Sequence, residues 1–159
     1  MPEPPSATRT LEHEIRIEAP PEAIFPYFTD PAKMVRWMGN EATIDPRPGG
    51  ICRVKMIRGI GEAAMIGEFV EVVPNSRIVL DWGWEQGLFG VPPSSTRVEI
   101  SLIPDGTGTL VRLVHSELSE KGAEVHEAGW PNYLERLSLA VAGQDPGPDE
   151  WMAPGLSEA

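Results

Sequence analysis

Apolar and polar residues alternate along most of this chain, and the alternation gives way to helical spacing in only two regions. Leu11, His13, Ile15 and Ile17 alternate with Glu12, Glu14, Arg16 and Glu18, which predicts a strand with one wet face. Pro20 and Pro21 close it, and Ile24, Phe25 and Phe28 then mark a short helix. Asp30 followed by Pro31 predicts a second short helix, capped by the carboxylate, with Met34, Val35 and Trp37 available to pack. From residue 41 strands and turns take over. EATIDP is a short strand ended by the PRPGG turn, and Cys52, Val54 and Met56 alternate with Arg53 and Lys55. Gly59 and Gly61 turn the chain into a strand over 62–73, and Pro74-Asn75-Ser76 turns it out again. Ile78, Leu80, Trp82 and Trp84 share one face of the next strand. The loop EQGLFGVPPSS is more apolar than a solvated loop requires, at Leu88, Phe89 and Val91. Two further strands carry Val98, Ile100 and Leu102, then Val111, Leu113 and His115, joined by the hairpin turn Asp105-Gly106-Thr107-Gly108.

Helical spacing returns between Ser119 and Gly143. Trp130, Leu134, Leu137 and Val141 draw one apolar stripe, with His126, Gly129 and Tyr133 beside it. Glu124, Glu127, Glu135 and Arg136 fall mostly on the other side. Ser119 is the expected N-cap and Gly143 the expected stop. Pro131 lacks a backbone donor, so the spacing predicts either a kink there or a helix whose regular part starts near Trp130. Strands joined by short turns, with helices set apart from them, predict an α+β layer structure with an antiparallel sheet.

Length and charge narrow the classes of function. A chain of 159 residues suits one domain with a real core. Residues 1–10 read as a flexible arm, 11–143 as the domain, and 144–159 as a Pro/Gly-rich tail whose Trp151 and Met152 could dock on the surface. A formal net charge of -11 repels nucleic acid and anionic membranes. No membrane span or signal pattern is present, and Cys52 has no disulfide partner, so a cytoplasmic location is expected. No zinc spacing and no phosphate-binding loop appears, so no metal or cofactor is expected.

The chain resembles the heat-shock-protein-90 ATPase activator homologue family of the START-like, birch-pollen-allergen-like helix-grip superfamily. Five segments carry the resemblance, in order: IEAPPEAIFPYFTDPAKMVRW, IDPRPGGICRV, GEFVEVVPNSRIVLDWGW, GTGTLVRLVHSEL and HEAGWPNYLERL. Together they span roughly residues 12 to 142. The resemblance implies a helix-grip fold: a curved sheet of six or seven strands around the C-terminal helix, with a cavity beneath it. It departs from the family pattern at Met38, where a second tryptophan is usual, and at Pro131.

Eight residues are the candidate lining of that cavity: Trp37, Met56, Trp82, Trp84, His115, His126, Trp130 and Tyr133. Indoles can wall a pocket or simply fill the core. His115 and His126 can supply acid–base chemistry or be hydrogen-bonded core residues, and His13 is read as a core residue too. No Ser, Asp or Cys stands at motif spacing to any of them. Arg47 is expected to pair with Asp45, Asp81 to be solvated, and Cys52 to face inward as a small apolar residue. The leading expectation is a binder of a small hydrophobic molecule. The alternatives are a cyclase/aromatase- or hydrolase-like enzyme using His115 or His126 with Tyr133, and a chaperone-associated module. Homodimerisation is left open.

Overall fold

The computed structural model describes residues 8–58 and 61–147. The proposed docking of Trp151 and Met152, and the turn at Gly59, lie outside the described residues. Strand β1 (Arg9–Ile17) leads into three single-turn helices, α1 (Pro21–Ile24), α2 (Pro26–Thr29) and α3 (Pro31–Met34). Strands β2 (Glu41–Ile44), β3 (Ile51–Arg58), β4 (Gly61–Val73), β5 (Arg77–Trp82), β6 (Thr96–Asp105) and β7 (Gly108–Leu118) follow. Helix α4 (Glu120–Val141) completes the domain. The strands form one curved antiparallel sheet in the order β1-β7-β6-β5-β4-β3-β2, the α+β helix-grip arrangement.

Alternation decides what the sheet buries. Val98, Ile100 and Leu102 of β6 and Val111, Leu113 and His115 of β7 are buried, while Glu99, Ser101 and Arg112 stay accessible. Cys52, Val54 and Met56 do the same on β3. Asp105 pairs with Gly108 across a two-residue turn in which Gly106 adopts φ 63°, a left-handed conformation that a side chain would strain. β1 begins at Arg9, two residues earlier than the alternation suggested, because Arg9 still pairs with Leu118 of β7.

The two expected short helices are present, the first split into α1 and α2. Pro26 has no N–H to continue the hydrogen-bond ladder, so Phe25 ends one turn and opens the next. Asp30 caps α3 by accepting from the Ala32 N–H at 2.9 Å.

Helix α4 runs unbroken through Pro131, so its regular part begins at Glu120 and not near Trp130. Pro131 and Glu127 are both exposed. Pro131 leaves the Glu127 carbonyl without its helical donor on the exposed side of the helix, where water can supply the missing bond. Ser119 accepts from the Gly122 N–H at 3.1 Å. At the other end Gly143 (φ 81°) donates to Ala140 and Gln144 donates to Leu139, the paired bonds of a Schellman stop.

A set of hydrogen bonds ties the short helices to α4. The Tyr27 hydroxyl donates to the Ala140 carbonyl at 3.1 Å, and the Trp37 indole donates to the Tyr27 carbonyl at 2.9 Å. Arg136 does not point away as its helical position suggested. It is half-buried and donates to the carbonyls of Trp37 (2.8 Å), Pro146 (3.3 Å) and Gly147 (3.0 Å).

Candidate functional site

The space beneath α4 divides into an apolar half and a polar half, with Trp82 and Trp130 between them. Their rings lie 5.0 Å apart and tilted, one from β5 and one from α4. In the apolar half they border a void of about 20 Å³. Phe28 and Met34 close it from the short helices, Trp37 and Met38 from the turn after α3, and Cys52, Met65 and Phe69 from the sheet. That volume is room for about one water, and with only apolar atoms around it such a void stays dry. The enclosure expected under the helix is thus nearly filled by side chains.

The polar half is a closed hydrogen-bond network. An indole N–H can only donate, so each imidazole nitrogen facing one must offer its lone pair. The Trp130 indole donates to His115 Nδ1 at 3.1 Å. His115 therefore carries its proton on Nε2 and donates it to Thr96 Oγ1 at 2.8 Å, and Thr96 passes its own hydroxyl proton to the Trp82 carbonyl at 2.7 Å. His126 Nε2 accepts from Trp82 (3.3 Å) and Trp84 (3.2 Å) at once, sharing a single lone pair. Its proton sits on Nδ1 and goes to the Gly122 carbonyl at 2.7 Å, one helical turn back.

The two imidazoles lie edge to face, 4.9 Å apart, and both are buried. Burial holds the His115 imidazole well below the usual imidazole range, and the neighbouring His126 adds to the effect. Burial also lowers His126, partly offset by its bond to the Gly122 carbonyl. Protonating either ring would aim a new N–H at an indole N–H. All four ring nitrogens are engaged, and none is left over for a reacting proton.

The eight candidates thus separate. Trp37, Trp82 and Trp130 border the void. Trp84, His115 and His126 belong to the polar network. Met56 and Tyr133 meet each other, the hydroxyl 3.9 Å from Sδ. Phe89 covers the network, its ring 5.5 Å from Trp84 and 6.2 Å from His126, and its φ of 60° is strained for so large a residue. Thr96, Met65 and Phe69 were not singled out by the sequence, and Phe28 only as part of a short helix face; the alternation of Thr96 with Val98 and Ile100 was the one signal of its inward side.

The remaining candidates are peripheral. His13 is a rim residue, contrary to its reading as core, and bonds Glu127 of α4 at 3.2 Å. Arg47 pairs with Asp45 at 2.7 Å as expected. Asp81 is on the outer face but only partly solvated, 3.6 Å from Arg97. Cys52 is buried, and desolvation pushes its thiol up to about 12, far from a reactive thiolate. Among the described residues no three His, Cys, Asp or Glu side chains gather as a metal-binding group. No helix among them is long and apolar enough to cross a membrane.

Comparison with known proteins agrees with this architecture. The solution structure of an AHSA1-like protein from Rhizobium etli is 42% identical, with 96% of this chain and 93% of that one covered and a TM-score of 0.72. CalU16 from Micromonospora echinospora is 27% identical over 85% of this chain and 77% of its own, with a TM-score of 0.69. DynU16, from the dynemicin biosynthetic locus, shares the fold at 23% identity and a TM-score of 0.73, over 89% of this chain and 51% of its own. No curated protein sequence matches the chain. The model of the family described as "Activator of Hsp90 ATPase homolog 1-like protein" matches residues 18–142, and the chain belongs to that family.

Proposed function

We propose that this protein binds a small hydrophobic molecule between the sheet and α4, and acts as a binder and not as a catalyst. The observation that carries this reading is the void under the short helices, lined entirely by apolar atoms. Its volume in this conformation, about 20 Å³, requires the lining to move aside for any organic ligand. The lining suits that demand. Met34, Met38 and Met65 are unbranched chains that repack at low cost. The cover consists of three four-residue helices, each too short to be stable by itself. An acid–base role for His115 or His126 has less support, because every ring nitrogen already has a partner.

Native mass spectrometry of freshly purified protein tests the proposal, together with a naphthalene titration followed by tryptophan emission. A retained hydrophobic mass, or saturable quenching, is the expected result. Met38→Trp, which fills the void from α3's following turn, should abolish the quenching while the protein stays folded. Quenching that survives this substitution would put the probe on the surface and remove the proposal's main support.

A further inference from the structure

Resting on the binder reading above, we infer that His115 and His126 are specificity-determining residues. By taking up the indole N–H groups beside the void, they leave an interior that accepts neutral molecules without hydrogen-bonding groups and rejects their hydroxylated or carboxylated counterparts.

The inference follows from where each polar atom near the void is aimed. Trp82 and Trp130 line the void through apolar atoms alone, while their N–H groups are held by His126 and His115. Trp84 gives its N–H to the same His126 nitrogen. Trp37, the third indole on the void, gives its N–H to the Tyr27 carbonyl. The histidines' own protons go to Thr96 and Gly122. What remains for a ligand is aliphatic and aromatic carbon and the sulfur of Met34, Met38, Met65 and Cys52. A buried hydroxyl finds no partner there, and its desolvation is left uncompensated. A carboxylate fares worse, since a bare charge in a dry interior is opposed further by a net charge of -11. Without the two histidines, three indole donors would point into the interior unpaired and would reward an acceptor on the ligand.

Three ligands sharing one ring frame decide the matter: naphthalene, 2-naphthol and 2-naphthoate, each titrated against tryptophan emission. Naphthalene should bind about tenfold more tightly than 2-naphthol, and 2-naphthoate should not bind measurably. If 2-naphthol or 2-naphthoate binds as tightly as naphthalene, this inference falls while the binder reading stands. If none of the three binds, the binder reading falls and takes the inference with it. In His126→Phe, which releases the Trp82 and Trp84 donors, the preference for naphthalene over 2-naphthol should narrow severalfold; an unchanged preference would overturn the role given to His126. Nitrogen NMR of the wild-type protein at neutral pH adds a decision independent of any variant. It should find His115 as the Nε2–H tautomer and His126 as the Nδ1–H tautomer, and a protonated ring or the opposite tautomer would overturn the inference.

Discussion

The two halves of the interior are built on opposite principles. Around His115 and His126 every ring nitrogen is engaged by directed hydrogen bonds, His126 Nε2 by two indoles, and the geometry follows from donors and lone pairs. Around the void the lining is apolar and packs by shape, the Trp37 indole's bond to the Tyr27 carbonyl pointing away from it, and three of the lining side chains are flexible methionines. A directional network tolerates no loss, since any missing partner strands a buried polar atom. A non-directional cluster tolerates exchange among side chains of similar volume. The contrast teaches where the molecule can change shape: at the methionine end, under the short helices.

Trp130 belongs to both halves, so its removal should be the most damaging change. Trp130→Ala loses the contact with Trp82, enlarges the void and strands His115 Nδ1, at a cost of about 3–5 kcal/mol. That is a large share of the roughly 5–15 kcal/mol typical of a domain. The urea midpoint measures it, and an unchanged midpoint would show that the indole contributes nothing.

Acid should attack the polar half selectively. Both imidazoles are held below their usual range in the folded state, so the unfolded chain takes up protons that the native protein refuses. Their stabilisation is complete above the unfolded imidazole value of about 6.5 and is lost as pH falls below it. Each histidine contributes up to about 1.4 kcal/mol per pH unit in that window. Unfolding midpoints measured between pH 7.5 and 5 should drop steeply, and a flat profile would mean that neither ring is held below its ordinary range.

Thr96→Val acts on the polar half alone. It keeps the shape and removes the acceptor for His115 Nε2–H, for about 1–3 kcal/mol at unchanged denaturant slope. The smallest effect belongs to the apolar half, where Met65→Leu should cost less than about 1.5 kcal/mol in the same unfolding assay. If Met65→Leu proved costlier than Thr96→Val, the division into a specified and an adaptable half would be wrong.

Much of the architecture was legible in the sequence because period-2 alternation and turn residues are local signals. Asp30, Ser119 and Gly143 announced their caps for the same reason. Periodicity also said which face carried Trp82, Trp84, His115 and Trp130, but not which atoms would meet. That His126 accepts from two indoles depends on where α4 passes Trp82, at the end of β5, and Trp84, just beyond it, which no spacing encodes. The uninterrupted α4 goes with Pro131 and Glu127 lying on its exposed side, and Arg136 meets a set of carbonyls that come together only after the chain folds back. The volume of the void is a small difference between large packed volumes, so composition could not supply it.

The register of β1 against β7 sets Leu11 opposite His115, so the sheet joins the first strand to the last. A chain growing from its N-terminus therefore holds β1 without its partner until nearly all of the domain exists. The cover, α4, comes later still. Contacts so distant in sequence make folding slow, on the milliseconds-to-seconds scale of non-local β topologies. Until then the apolar faces of β3 to β6 have no roof, and assembly of this interior is an event of the finished polypeptide.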